Sequence, residues 1–155
     1  MESPRHYLAI VRPDNLRRLV ESGFNFYALS SRAMPVKTAD YIVLYKSRDG
    51  EPRRKSTPGI VGLFKVTGEP HEVNRGPLSL MFPMQVPWQA IMACTDHPLP
   101  IAPLVPSLKM FPNKKNYGSA LQGSMKKLTP GDYDIIASAF NQHLAALDTA
   151  HNLTT

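Results

Sequence analysis

"HYLAIVRPDNLRRLVESGFNFYALSS", residues 6–31, is the stretch from which the architecture follows. Its first six residues form an apolar run with strand character. Pro13 and Asp14 interrupt that run, and Asp14 is placed to cap a helix that passes through "NLRRLVES" and stops at Gly23. The chain then turns while carrying Phe24, Phe26 and Tyr27 within four positions, followed by Ala28, Leu29, Ser30 and Ser31. A strand, a short helix and an aromatic turn therefore open the domain.

Downstream, "VKTADYIVLYK" (36–46) predicts a turn and then a strand. Tyr41, Val43 and Tyr45 alternate with Ile42 and Leu44, so the run is apolar on both faces, as in a central strand. "TPGIVGLFKVTGEP" (57–70) predicts a second strand, in which Gly59 and Gly62 mark a bulge or a close backbone approach. Between these two lies a polar, hairpin-like loop. "LMFPMQVPWQAI" (80–91) has strand character, but Pro83 and Pro87 cannot donate to a ladder, which predicts an edge or bulged strand. "PLVPSLKMF" (103–111) suits one or two short helical turns. "TPGDYDIIASAFNQHLAAL" (129–147) is the clearest helix: Thr129 caps it, Pro130 starts it, Asp132 sits in its first turn, and Ile135, Ile136, Ala139, Phe140 and Leu144 form its apolar stripe.

The chain of 155 residues is long enough for one core, and 43 % hydrophobic with 19 % charged residues is a globular composition. The 15 prolines against 9 glycines favour short elements joined by stiff connections. The expectation is a single α+β domain over residues 1–147, with 148–155 a frayed tail. The lone Cys94 has no disulfide partner, which points to a reducing, cytoplasmic setting. The N-terminus lacks a signal peptide's apolar core, and no run approaches the roughly 18 apolar residues of a membrane span.

A net charge of +6 favours an anionic partner, and the basic residues are clustered. "KSRDGEPRRK" (46–55) holds five cations, among them Arg53, Arg54 and Lys55, against two acids. The 35 residues from His97 to Gly131 hold five lysines, including Lys114, Lys115, Lys126 and Lys127, and no carboxylate. Charge alone fits nucleic acid and a merely solvated basic face about equally.

Signatures of catalysis are missing. The sequence has no HExxH, CxxC or GxSxG, and His6, His71, His97, His143 and His151 show no ligand spacing, so neither a metal nor a cofactor is expected. "GSALQGSM" (118–125) has the glycine spacing of a phosphate-binding loop, but Ser124 and Met125 replace the lysine and the metal-binding hydroxyl. His71 between Glu69 and Glu72 reads as a surface residue, and Cys94 as an inert core thiol. The expectation is a protein that is not an enzyme.

In order, "RPDN" (12–15), "NFYALSS" (25–31), "VKTADYIVLYKS" (36–47) with its Asp40 and Tyr45, "PGIVGLFKVTGEP" (58–70), "FPMQVPW" (82–88) and "NYGSALQGSMKKLTPGDYDII" (116–136) resemble the EVE domain of the PUA-like superfamily. The resemblance extends over roughly residues 6–140. It implies a mixed, barrel-like sheet with flanking helices, related in fold to YTH domains. It also implies a module that binds DNA or RNA and holds a flipped, modified base, such as a methylated cytosine or adenine, in an aromatic pocket.

On this resemblance Tyr27 matches the position where the family usually stacks a tryptophan on the base. Ala28, Leu29, Ser30 and Ser31 border the pocket, with Arg12 and Asn15 offering hydrogen bonds from the other side; Asn15 fits a local helix-start role equally well. One of Leu78, Leu80 and Phe82 supplies the second wall, and Gly123 and Ser124 lie near the floor. Arg53, Arg54, Lys55, Lys114, Lys115, Lys126 and Lys127 are candidates for phosphate contacts. Phe24, Phe26 and Trp88 are expected to anchor the turn from the core or rim. Two further classes stay open: a PUA-like protein acting on small molecules or RNA, and an interaction subunit of a restriction or RNA-modification system without base selectivity.

Overall fold

The computed structural model describes residues 3–29, 36–48, 57–73, 83–112, 114, 115, 117–121 and 125–154. Strand β1 (His6–Val11) leads into helix α1 (Pro13–Glu21) and strand β2 (Phe26–Leu29). Strands β3 (Tyr41–Lys46), β4 (Gly59–Val66), the two-residue β5 (His71–Glu72) and the long β6 (Met84–Ala93) follow. Two 3-10 turns (Ala102–Ser107 and Tyr117–Leu121), strand β7 (Met125–Leu128) and helix α2 (Pro130–Thr154) complete the order. The strands form one mixed sheet in the order β2-β6-β4-β3-β1-β7, with β5 also on β6. The β1–β3 pair is parallel and the other pairs are antiparallel. This is the expected α+β architecture, a curled half-barrel with flanking helices.

Each face of the sheet carries its own core. Tyr7, Ala9 and Val11 of β1 and Ile42 and Leu44 of β3 pack with Leu16 and Leu19 of α1, and with Tyr27, Phe64 and Trp88. Leu8, Val43 and Tyr45 face the other way, against Ile136 and Phe140 of α2 and against Val105, Leu108 and Phe111. The two-sided apolar pattern of 41–46 thus has its predicted consequence: β3 lies at the centre, between β4 and β1. In β4 the alternation slips, because Val61 is an extra residue between the pairs Leu44–Gly62 and Tyr45–Ile60. A second slip on β6 leaves Ile91 without a partner and 48 % exposed. Gly59 and Gly62 serve close approaches: a Cβ on Gly59 would lie 2.5 Å from the Leu99 carbonyl oxygen, and one on Gly62 2.6 Å from the Phe64 ring.

Two local expectations are corrected and a third, on β6, is resolved. Asp14 does not cap α1: Arg12 occupies the cap position without a side-chain hydrogen bond and Pro13 starts the helix, since its fixed φ and missing N–H suit that place. Of the two alternatives for the proline-bearing strand, edge or bulged, β6 is the bulged one, with Ile91 as the extra residue, and it is interior because it changes partners along its length. Residues 84–87 pair with β2, residues 88–93 pair with β4, and Pro87 stands at the changeover, where its carbonyl accepts from Thr67 N–H. The segment 148–155, expected as a frayed tail, continues α2 as far as Thr154. The other end of α1 follows expectation, with Gly23 at φ 101° and the bonds Phe24 N–H to Leu19 and Gly23 N–H to Val20 closing a Schellman motif.

Two buried aspartates tie loops to this frame. Asp40 accepts the backbone N–H groups of Arg5 and Lys37 at 2.9 and 2.8 Å and fixes the turn into β3. Asp132 accepts those of Lys109 and Met110, both at 2.9 Å, while its own N–H donates to the capping Thr129 hydroxyl at 3.1 Å. Among the described residues no helix is long and apolar enough to cross a membrane.

Candidate nucleic-acid interface

The aromatic turn is pinned by a residue 64 positions away from it in sequence. Trp88 Nε1–H donates to the Phe24 carbonyl at 3.0 Å, and Trp88 N–H to the Asn25 carbonyl at 3.2 Å. The Trp88 indole stacks on Phe64 at 3.8 Å between centroids, with the planes 14° apart, and Phe24 meets both rings edge-on. Phe24 itself sits at φ 59°, a conformation that few side chains adopt and that this cluster holds in place. Pairing of β2 with β6 then sets Tyr27 opposite Val86 and Ala28 opposite Gln85.

That arrangement buries Tyr27. The residue is 3 % exposed, its ring is 5.2 Å from Trp88, and burial raises its phenol pKa far above the usual value. In this conformation the ring belongs to the α1-side core rather than to an open surface. Phe24 and Phe26 are half-buried against the same cluster, and Trp88 is 3 % exposed within it. Ala28 is buried beside Tyr27, and Leu29 ends β2.

Arg12 and Asn15 lie at the start of α1. Arg12 is exposed and pairs with Asp14 at 3.6 Å, and Asn15 Oδ1 accepts from Arg18 at 3.4 Å. Ser30, Ser31, Leu78, Leu80, Phe82, Gly123 and Ser124, with Arg53, Arg54 and Lys55, lie outside the described residues.

Of the other candidate cations, Lys114 and Lys115 are exposed beyond the first 3-10 turn, and the Lys114 ammonium donates to the Leu108 carbonyl. Lys126 and Lys127 stand on the edge strand β7, opposite Leu8 and Tyr7 of β1, half-buried and exposed respectively. His71, Glu69 and Glu72 are exposed. Two hydrogen bonds from Thr38 hold the Glu69 carboxyl below the usual carboxylate range. Among the described residues no group of three or more His, Cys, Asp or Glu side chains could hold a metal ion.

One cluster had no signal in the sequence. His6 of β1, Tyr41 of β3 and Tyr133 of α2 form a group of half-buried rings with centroids 4.5–5.4 Å apart, and the Lys65 ammonium lies 5.8 Å from the Tyr41 centroid. Burial lowers the His6 pKa, against the raising fields of Asp134 and Asp40. Only the parallel β1–β3 register, which the sequence does not encode locally, brings His6 and Tyr41 together.

This architecture is a curled mixed sheet with a helix on each face. Among solved structures it is similar to a hypothetical protein from Leishmania major, with a TM-score of 0.57 and 14 % identity over 91 % of this chain and 98 % of that one. It is also similar to human THYN1, solved in complex with DNA containing 5-methylcytosine, with a TM-score of 0.51 and 18 % identity over 86 % and 96 % of the two chains. In sequence, the chain is 26 % identical over 144 residues to a UPF0310 protein of Pyrococcus abyssi, covering 86 % of this chain and 97 % of that protein. No family model matches the sequence.

Proposed function

We propose that this protein is an EVE-type binding module that holds DNA or RNA and recognises a modified base drawn out of its stack. The likeness to THYN1, whose solved complex contains methylated DNA, over 86 % of this chain is the observation that carries this proposal. The net charge of +6 and the lysines on β7 and beyond the first 3-10 turn support it. In this proposal the base enters beside β2. Ala28, Leu29, Ser30 and Ser31 meet its edge, Arg12 and Asn15 approach from the start of α1, one of Leu78, Leu80 and Phe82 covers it, and Gly123 and Ser124 lie beneath. Tyr27 is the innermost ring, and a base must displace what covers it. The burial of Tyr27 at 3 % favours a second reading, in which the module binds nucleic acid without sensing the modification.

A gel-shift comparison of oligonucleotides carrying cytosine, 5-methylcytosine, 5-hydroxymethylcytosine or N6-methyladenine separates the two. The first proposal expects one modified strand to bind more tightly than its unmodified counterpart. Tyr27→Leu, which keeps apolar bulk in the core, should then lower that preference by about 5- to 150-fold, the equivalent of one lost stacking contact of about 1–3 kcal/mol. Background affinity should survive, since phosphate contacts do not sense the base. Equal affinities for all four strands in the unaltered protein would leave only the second reading.

The phosphate contacts have their own signature. Each neutralised phosphate adds a slope of about −0.7 to −0.9 to the logarithm of affinity against the logarithm of salt. Lys115→Ala combined with Lys127→Ala should therefore flatten the plot by up to about 2. An unchanged slope would assign both lysines to solvated surface.

A further inference from the structure

Across the sheet face that carries α2, the residues His6, Tyr41, Lys65 and Gln89 stand directly opposite one another on four successive strands. Opposed residues project to the same face, so the four side chains form one row. The His6 and Tyr41 rings are stacked with planes 8° apart and centroids 5.2 Å apart, and Tyr133 from the first turns of α2 closes on both. Because β1 and β4 flank β3 on opposite sides, His6 supports one face of the Tyr41 ring and Lys65 covers the other. Lys65 and Gln89 are exposed. With neighbouring strands about 4.8 Å apart, Tyr41 and Gln89 bound a slot about 10 Å across, floored by Lys65.

We infer that this slot takes an unpaired base of a single-stranded nucleic acid, stacked on Tyr41 in place of the Lys65 ammonium. The inference rests on the nucleic-acid proposal above but concerns the opposite face of the sheet from Tyr27. The Tyr41 ring is already held by two others, so stacking on it orders little that was free. An ammonium over a ring is a weak, exposed contact, and its release leaves Lys65 able to meet the phosphate of the same nucleotide. Gln89, on the far wall, offers both a donor and an acceptor to a base edge.

The surroundings fit a polyanion. On β7, next to β1, Lys127 and Lys126 stand one and two residues before Leu128, the partner of His6; Lys126, opposite Leu8, projects to the face of the slot and Lys127, opposite Tyr7, to the other. The exposed Asp134 opposes them, whereas the Asp40 carboxylate is turned inward to two backbone N–H groups.

The test uses the whole chain and a fluorescently labelled unmodified deoxythymidine decamer, beside a decamer in which the central bases are replaced by abasic sites, with affinities read by anisotropy at low salt. The intact protein should bind the strand with bases more tightly, by roughly 5- to 150-fold, the range for one stacked base. Tyr41→Leu should erase that ratio while leaving the abasic strand bound as before. The same ratio in the variant overturns the inference.

Should Tyr41→Leu fail to fold, photocrosslinking of the unaltered protein to a 5-iodouracil strand decides the matter. Attachment to the peptide bearing Tyr41 upholds the slot, and attachment only elsewhere overturns it. A methylated duplex run alongside separates the two proposals. Selective binding of that duplex without a base preference on single strands defeats the slot alone, and no binding of any oligonucleotide defeats both.

Discussion

Trp88→Ala should lower the free energy of unfolding by about 3–5 kcal/mol, the usual loss when a large buried aromatic is truncated. The ring is 3 % exposed, stacked on Phe64 at 3.8 Å and edge-on to Phe24, so its removal leaves a cavity walled by two other rings. It also orphans the Phe24 carbonyl, which accepts the indole N–H at 3.0 Å where the backbone holds φ 59°. Trp88→Phe should cost less, since it keeps an aromatic ring against Phe64 and leaves a smaller cavity, while still losing that hydrogen bond, worth about 1–3 kcal/mol when a partner is left unsatisfied. Urea denaturation followed by circular dichroism measures both. A loss below about 1 kcal/mol for the alanine variant would mean that the aromatic turn is held by something other than Trp88.

Asp132→Ala should cost about 2–5 kcal/mol, although the residue starts α2, the helix packed on the opposite core from Tyr27. Its carboxylate is 2 % exposed and accepts two backbone N–H groups, from Lys109 and Met110. Alanine would leave both donors without their acceptor, at about 1–3 kcal/mol each. Asp132→Asn retains an acceptor for one of them and should fall between alanine and the native residue. Hydrogen exchange at the Lys109 and Met110 amides gives a local readout, because exchange there should accelerate before the rest of the domain is affected. Unchanged protection in the alanine variant would show that these amides are held by other means.

Much of the fold was legible because its signals are local. The run 41–46 is apolar on both faces because β3 is covered on both, and Thr129 and Pro130 start α2 as their chemistry requires. Gly59 and Gly62 marked real close approaches. The errors arose where a local rule met a tertiary partner. Two prolines suggested an edge or a bulged strand; β6 is bulged at Ile91 yet interior, because Pro87 falls where one partner strand gives way to another. Asp14 resembled a cap, but Pro13 had already begun the helix.

The site was less legible than the fold. Tyr27 could be singled out by position, but its burial depends on Trp88 and Phe64, which lie far along the chain. The His6–Tyr41–Tyr133 group needs a parallel register and a helix docking that no short stretch specifies.

The alternation of β3 between two cores has a consequence for cooperativity. Ile42 and Leu44 complete one hydrophobic cluster, while Val43 and Tyr45 complete the other, so a single backbone is the shared wall of both. Neither half can melt by itself, because release of β3 from one side strips the apolar surface of the other. The two clusters should therefore unfold together, and a ligand that braced Tyr41 on one face would also stabilise the cluster of its neighbour Ile42, on the face where Tyr27 lies.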